Sequence, residues 1–369
     1  MKLERFTSDL IPAVVGFNTR LLNGGADPEL VFPETPAPEI SAPAGLAPDA
    51  RNGRLEERFL LMDESCVRGA FILQHQVFWL GTEAVPISHL RLPLSEGIVD
   101  RKFAGVGMQL IRHALRLQPL LFTLGMGGRE RPLPKLLGAM QWRLWDVPFY
   151  FSVNRPARFL RGIRALRTSA WRRLALNLAA FSGIGWAGAQ MWAATRRKSA
   201  PEKAKVEPAQ GFSNWADETW EACKRSYSMI ATRNSSTLQA LYPDGGRFHS
   251  RRVHANGRPT GWFVALDTVM EEHKQFGNLR VGTIVDALSR PEDAPMVVRA
   301  AADFLYDRGV DLVISNQMHP AWGAALCDAG FIGAPSNFAL AVSPILTPHC
   351  GDGRGIHVNR GDGDGPIHL

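Results

Sequence analysis

Residues 102–107 read Lys-Phe-Ala-Gly-Val-Gly, and the stretches on either side of them decide the fold. Behind them run three strand-like stretches, 58–62, 67–80 and 85–94. The second contains FILQHQVFWL, whose β-branched and aromatic side chains suit a pleated surface. Ahead of them Val106, Leu110, Ala114 and Leu117 recur at helical spacing and predict a helix over 105–117. The apolar run 120–124 predicts a strand, followed by a GMGG turn, a short helix from Pro132 and a last strand over 148–153. An opening helix over 9–22 and a loop rich in proline (Pro33, Pro36, Pro38, Pro43, Pro48) come first. Strands, then helix, strand, helix and strand specify an α/β class built on one mixed sheet.

The small residues of 102–107 have a chemical consequence of their own. They let a ligand approach the backbone, and N–H groups at a helix start, with the helix dipole behind them, face an anion. The same stretch also serves as an ordinary turn or helix cap, and a lone GxG does not separate the two.

From 212 onward the order of elements repeats. A helix over 214–230 leads to 237–242, strands over 246–254, 261–267 and 279–287, a helix over 294–308, a strand over 310–315, a helix over 322–329 and a strand over 337–342. The parallel is one of pattern, for which an internal duplication is the economical account.

These features resemble the GNAT superfamily of acyl-CoA-dependent N-acyltransferases, which hold the CoA pyrophosphate on an R/Q-x-x-G-x-G/A loop between their fourth strand and third helix. Lys102, Gly105 and Gly107 match that motif, with Lys in place of Arg or Gln, and Gln141-Trp142 stands like the family's GF stop. In the second half HPAWGAALCDAGF, residues 319–331, looks like the helix that follows the family's fifth strand. The likeness covers about 5–153 and 212–345. It implies two GNAT-like domains in tandem, 1–153 and 212–345, joined by a basic, apolar helical segment (154–211) and followed by a terminal loop or strand (346–369).

The resemblance implies acetyl-CoA or another acyl-CoA as co-substrate, held by Lys102, Ala104, Gly105, Val106 and Gly107. It implies direct attack of an amine on the thioester, with backbone amides of the splayed fourth and fifth strands facing the developing oxyanion. A base must take the ammonium proton. Glu96, just past the fourth strand, is the first-half candidate, and His89 reads as a core histidine. In the second half Asp286, at a strand end, and His319, after the fifth strand, are the candidates. Arg233, Asn234 and Tyr242 offer a sugar or carboxylate contact, and Glu271, Glu272 and His273 form either a relay or a polar turn. Two departures stand out. Leu288 to Ala294 put a proline and two acids where the second half's CoA loop would be, removing a donor and repelling phosphate, so no CoA is expected there. The family's tyrosine acid is replaced by Leu136, Leu137 and Gly138.

Composition narrows the alternatives. The chain has 369 residues, 45% apolar and 21% charged, long enough for two domains of roughly 150–200 residues. Ten Trp and nineteen Phe, aperiodic glycine and four scattered cysteines exclude disordered, collagen-like and disulfide-scaffold classes. Residues 151–205 carry twelve Lys or Arg against one acid, a local +11 within a total of +7, which leaves −4 for the rest. That balance argues against a nucleic-acid partner. No zinc spacing, Ser-His-Asp signature or phosphate-binding Walker loop is present, and the tail at 360–365 lacks the terminal Glu of a calcium loop, so no metal is expected. Absence of a signal-like start makes the cytoplasm the expected setting.

The run 174–195 is uncharged and follows an arginine-studded amphipathic stretch. Contact of 155–195 with the inner face of a membrane and packing against the protein itself are equal expectations, with a true span third. Function then reads as an acyl-CoA-dependent N-acyltransferase acting on an amine of a small molecule, saccharide or cell-envelope precursor. The rivals are a catalytically silent GNAT-fold binding protein and a Fem-type transferase drawing on aminoacyl-tRNA.

Overall fold

The computed structural model describes residues 1–37, 55–162, 204–255, 257–273 and 276–363. The uncharged run 174–195 and most of the basic stretch before it lie outside the described residues. The fold is mixed α/β with two mixed sheets, divided between two compact units. One holds Met1–Trp145 and Ala339–Gly351, the other Asp146–Phe338 and Asp352–Leu369.

In the first unit the chain runs β1 (Lys2–Arg5), α1 (Ile11–Asn23), β2 (Leu55–Asp63), β3 (Cys66–Leu80), β4 (Glu83–Ser95), α2 (Val106–Leu117), β5 (Leu121–Leu124), α3 (Pro132–Ala139) and β6 (Arg143–Asp146). Strands β1 to β4 pair antiparallel in sequence, and β4 pairs parallel with β5. Because side chains alternate along a strand, Phe59, Leu61, Phe71, Leu73 and Leu90 point to the core shared with α2 and α3. Their neighbours Leu60, Met62, Ala70, Ile72 and Leu94 pack on α1 through Val14, Phe17 and Leu21. Both faces are covered, which is why β2 and β3 read as near-continuous apolar runs.

The second unit runs β7 (Phe149–Val153), α4 (Pro156–Gly162), β8 (Lys205–Pro208), α5 (Asn214–Cys223), β9 (Met229–Ala231), α6 (Ser235–Leu241), β10 (His249–Ala255), β11 (Arg258–Val269), β12 (Arg280–Ser289), α7 (Ala294–Asp307), β13 (Leu312–Asn316), α8 (Pro320–Asp328) and β14 (Ile332–Ala334). Its sheet has the order β14-β7-β13-β12-β11-β10-β8, with β12 and β13 parallel. The chain ends through β15 (Ala339–Val342), α9 (Thr347–Cys350) and β16 (Ile356–His357).

Two strands do not stay with their halves. The strand expected over 148–153 forms as β7, but it pairs antiparallel with β13 and β14 in the second unit. That moves the boundary from 153 to Trp145/Asp146. The strand expected over 337–342 forms as β15 and pairs antiparallel with β5 in the first unit, Leu340 opposite Leu124. The helix expected over 214–230 stops at Cys223, because Met229 and Ile230 pair as a strand with Ile356 and His357, and the Ser228 amide donates to the Gly355 carbonyl. The stretch 237–242 is largely helical, capped by Asn234, whose side chain accepts from the Thr237 amide.

Candidate functional site

In the first unit β4 and β5 are paired only at Ser88–Leu121 and His89–Phe122. Beyond that rung β4 is irregular: its register against β3 shifts between Ala70 and Ile72, and Leu92 takes a positive φ of 42°. A bulge of this kind turns a strand away from its neighbour. His89 sits at the parting. Its ring stacks on Phe122 with centroids 4.7 Å apart, and its Nε2 accepts from the Leu124 amide at 3.3 Å. His89 is therefore the core histidine expected, and it also occupies an amide of β5 just past the last rung.

Glu96 opens a 3-10 turn directly after β4 and is 4% exposed. Its carboxylate accepts from Arg20 Nε at 2.8 Å and from the Arg68 guanidinium at 3.0 Å. Hydrogen bonding to that carboxylate raises the Arg68 pKa. The residue expected as a general base thus has its carboxylate bonded to two guanidinium groups, an arrangement that makes it an anchor. What it anchors is the loop to α2. Asp100 then caps a second 3-10 turn by accepting from the Lys102 amide at 2.9 Å, and Phe103 is buried with the Arg68 guanidinium 4.3 Å above its ring. A Cβ at Gly97 would run into the Phe103 carbonyl. Gly97→Ala is therefore expected to cost about 1–3 kcal/mol of stability, read from denaturant melts, by pushing the two turns apart.

Lys102, Ala104 and Gly105 are exposed, Gly107 is half-buried, and Val106 is turned into the core with α2. Helix α2 starts at Val106 with Gly105 as its cap and no side chain bonded there. A Cβ at Gly105 would meet nothing within 4 Å, and one at Gly107 would make ordinary contact with Leu136 at 3.5 Å and Ser95 at 4.0 Å. The first turn of α2 is thus open to an anion the size of a phosphate, with the Lys102 ammonium on the same short loop.

A second arrangement in this unit escaped sequence reading. Ser88 Oγ lies 2.6 Å from His75 Nδ1, and His75 Nε2 lies 2.7 Å from Glu57. The bond from His75 and the nearby Arg5 hold the Glu57 carboxyl below its ordinary range, so Glu57 accepts and His75 donates, leaving Nδ1 to accept from the serine hydroxyl. The string can pass a proton between the wholly buried Ser88 and the half-buried Glu57. Its members come from three strands in register, a spacing no local motif reveals.

In the second unit β12 and β13 pair for four rungs, Val281–Leu312 to Ile284–Ser315, and β12 then shifts register against β11 around Val285. Past the parting lies a buried polar centre. Asp286, with no exposure, accepts from Arg233 Nε at 3.1 and 3.2 Å, from the Tyr242 hydroxyl at 2.9 Å, from Asn359 Nδ2 at 2.8 Å and from the Ala287 amide at 2.9 Å. Arg233 also donates to Asp362 at 2.7 Å and to the Ala231 carbonyl at 2.8 Å. Burial works against its charge, but the two carboxylates outweigh burial and raise its pKa. Asn359 and Asp362 form a reciprocal capping box, and Asn359 bridges to Gln317 just past the end of β13. The chain's own terminal segment thus fills the ground beyond the last rung.

These contacts give the second-half candidates their surroundings. Asp286, expected as a base facing a cleft, is fully buried and bonded through both oxygens. Arg233 and Tyr242 bind that aspartate and not a substrate. His319 caps α8, its Nδ1 accepting from the Ala321 amide at 3.2 Å, and burial lowers its pKa, so it stays neutral. It stands edge-on to Tyr227 with centroids 5.1 Å apart, far along the chain from Glu271 and Glu272. Glu272 instead bonds Asn278 in a tight turn. The residues missed by sequence reading are Tyr227, His357, Asn359 and Asp362. The N-x-x-D spacing at 359–362 was the one available signal, since it matches a capping box.

His357 carries a pH dependence. Both ring nitrogens are buried and have no hydrogen-bond partner among the described residues, and the ring lies between Tyr227 at 4.7 Å and Trp322 at 5.7 Å. Burial first, then the Arg233 charge, push its pKa down to about 3. The unfolded chain protonates histidine near pH 6.5 and so takes up the proton before the folded one. Stability is full above about pH 6.5 and is lost as pH falls toward 3, by up to about 1.4 kcal/mol per pH unit. Denaturant melts across that window should show this slope, and His357→Phe should remove it while keeping a ring between Tyr227 and Trp322.

Among the described residues no group of three or more His, Cys, Asp or Glu side chains could hold a metal ion, and no helix is long and apolar enough to cross a membrane. All four cysteines are free.

No family model and no curated protein matches the chain. Solved structures do. A conserved Enterococcus faecalis protein described as a probable N-acyltransferase is similar with a TM-score of 0.49 and 9% identity, over 94% of this chain and 72% of that one. An N-myristoyltransferase from Saccharomyces cerevisiae, with bound myristoyl-CoA and inhibitors, has a TM-score of 0.46 and 10% identity over 93% and 79%. A GCN5-related N-acetyltransferase from Anabaena variabilis has a TM-score of 0.45 and 11% identity over 77% and 62%.

Proposed function

We propose that the first unit binds acyl-CoA and transfers its acyl group to an amine of a small molecule, saccharide or cell-envelope precursor, and that the second unit is catalytically silent. One observation carries the first part. The Lys102–Gly107 loop exposes Lys102, Ala104 and Gly105, is anchored through Glu96, Arg20, Arg68 and Asp100, and ends at a helix start whose glycine has open space around it. That is the steric and electrostatic requirement for a diphosphate cradle. Bound acyl-CoA would supply the thioester; the loop residues would hold the pyrophosphate through backbone N–H groups and the Lys102 charge. Glu96 serves as the anchor of this loop and takes no part in proton transfer.

The silence of the second unit rests on a separate observation. Asn359, Asp362 and Arg233 occupy the ground past the β12–β13 parting, and every oxygen of Asp286 is bonded. Calorimetric titration of acetyl-CoA into the intact protein and into Gly105→Glu tests the cradle. Saturable binding lost in the variant supports it, and no binding to the folded wild-type chain sinks it.

A further inference from the structure

A concavity in the second unit is lined by residues that neither the acyl-CoA reading nor the buried polar centre uses. Its volume is about 860 Å³, and it is bounded by α5, the β10–β11 hairpin and the turn before α7. Ligand sites for small organic molecules run to roughly 300–1,000 Å³, so this one is large enough for a flexible ligand of several residues.

Its charges are the informative part. Arg252, Arg258 and Arg290 line it together with Glu218, Glu292 and Asp293. These six charged side chains share one cavity, yet none of them makes an ion pair among the described residues. Elsewhere in this unit comparable groups are matched: Arg280 and Arg308 close on Asp267, and Arg155 and Arg158 lie against Asp311. The cavity also has a platform. The Arg252 guanidinium lies 4.9 Å over the Trp215 ring, which orients its outer N–H groups and keeps the head group partly dry. In the same lining, burial and the Glu292 charge raise the Asp293 pKa against the opposing pull of Arg290, which makes no ion pair with it among the described residues. Cys223, also in the lining, is uncharged, since burial pushes its thiol up to about 12.

A pure anion would meet three carboxylates here, and a pure cation three guanidinium groups. A ligand carrying one charge of each sign at its two ends meets neither penalty. We propose that this cavity binds a zwitterionic, peptide-like ligand, its carboxylate on the Arg252–Trp215 platform with Arg258 and its ammonium at Glu292 and Asp293. The inference concerns the second unit alone and stands independently of acyl-CoA binding in the first.

The test is calorimetric titration of the full chain with trialanine, with N-acetyl-trialanine, which lacks the ammonium, and with trialanine amide, which lacks the carboxylate. Free trialanine should bind saturably, and each capped form should bind at least roughly tenfold more weakly, because a charged group then loses its partner. Arg252→Gln should weaken free trialanine but not its amide, and Glu292→Gln should weaken free trialanine but not the acetylated form. Both positions are exposed or half-exposed, and thermal melts of the variants would register any loss of fold. Equal binding of free and capped peptides overturns the proposal. So does the absence of saturable binding at millimolar peptide, which would make these six charges a solvated surface only.

Discussion

Arg233→Met is expected to lower the unfolding free energy of the second unit by about 3–5 kcal/mol, the cost of removing one partner from a buried ionic group. Arg233 is 2% exposed and is bonded to both Asp286 and Asp362, themselves at 0% and 1%. Methionine fills most of the same volume without charge, so the loss is electrostatic and not a cavity effect. Two carboxylates would be left in a dry interior, where an unpaired charge is far more costly than an unmade neutral hydrogen bond. Adding Asp362→Asn to Arg233→Met should recover part of the loss, because it removes one stranded charge, and a double-mutant cycle would read the coupling. Arg233→Lys should fall between wild type and the methionine variant, since an ammonium cannot reach Asp286, Asp362 and the Ala231 carbonyl in the planar fork that Arg233 uses. A methionine variant that melts with the wild type would mean these groups are not buried together.

For Gly105→Glu a fall of roughly 100-fold in acetyl-CoA affinity is expected, about 2.7 kcal/mol, from a carboxylate set beside the pyrophosphate position. The substitution isolates charge from shape. Gly105 has a φ of −76°, which any residue adopts, and its Cβ direction is open, so the fold has no reason to change. Gly105→Ala is the control and should bind acetyl-CoA within a few-fold of wild type. Lys102→Gln should lose less than the glutamate variant, since its exposed ammonium is screened by water and salt. If alanine and glutamate at 105 behave alike, bulk and not charge governs the site, and the diphosphate reading fails.

Much of the secondary structure was legible. The helical spacing of Val106, Leu110 and Ala114 places α2 within a residue of its observed start, and the apolar runs locate β3, β4, β5, β12 and β13 to within about three residues. The proline and acids at 291–293 correctly mark a loop unlike that of the first half, since Pro291 begins a 3-10 turn lacking any glycine. The candidate site was legible only where chemistry is local. Lys102 to Gly107 are contiguous, and their exposure and helix-start geometry follow from their own sequence. Glu96 could be located but not interpreted, because its partners Arg20 and Arg68 lie 76 and 28 residues away.

By itself, then, the amino-acid sequence determined the class of fold, the order of its elements and the position of one glycine loop, since periodicity and glycine placement act over a few residues. Tertiary structure alone decided which unit each closing strand joins, and that Glu96 is an anchor and Asp286 a sealed core group. It also decided that residues 356–362, which read as part of a terminal loop or strand, complete the second unit's interior. The physical reason is the same in each case. A strand's edge and a buried carboxylate are both satisfied by whichever partner folding brings near, and here such partners include Leu121 and Ser343, 222 residues apart.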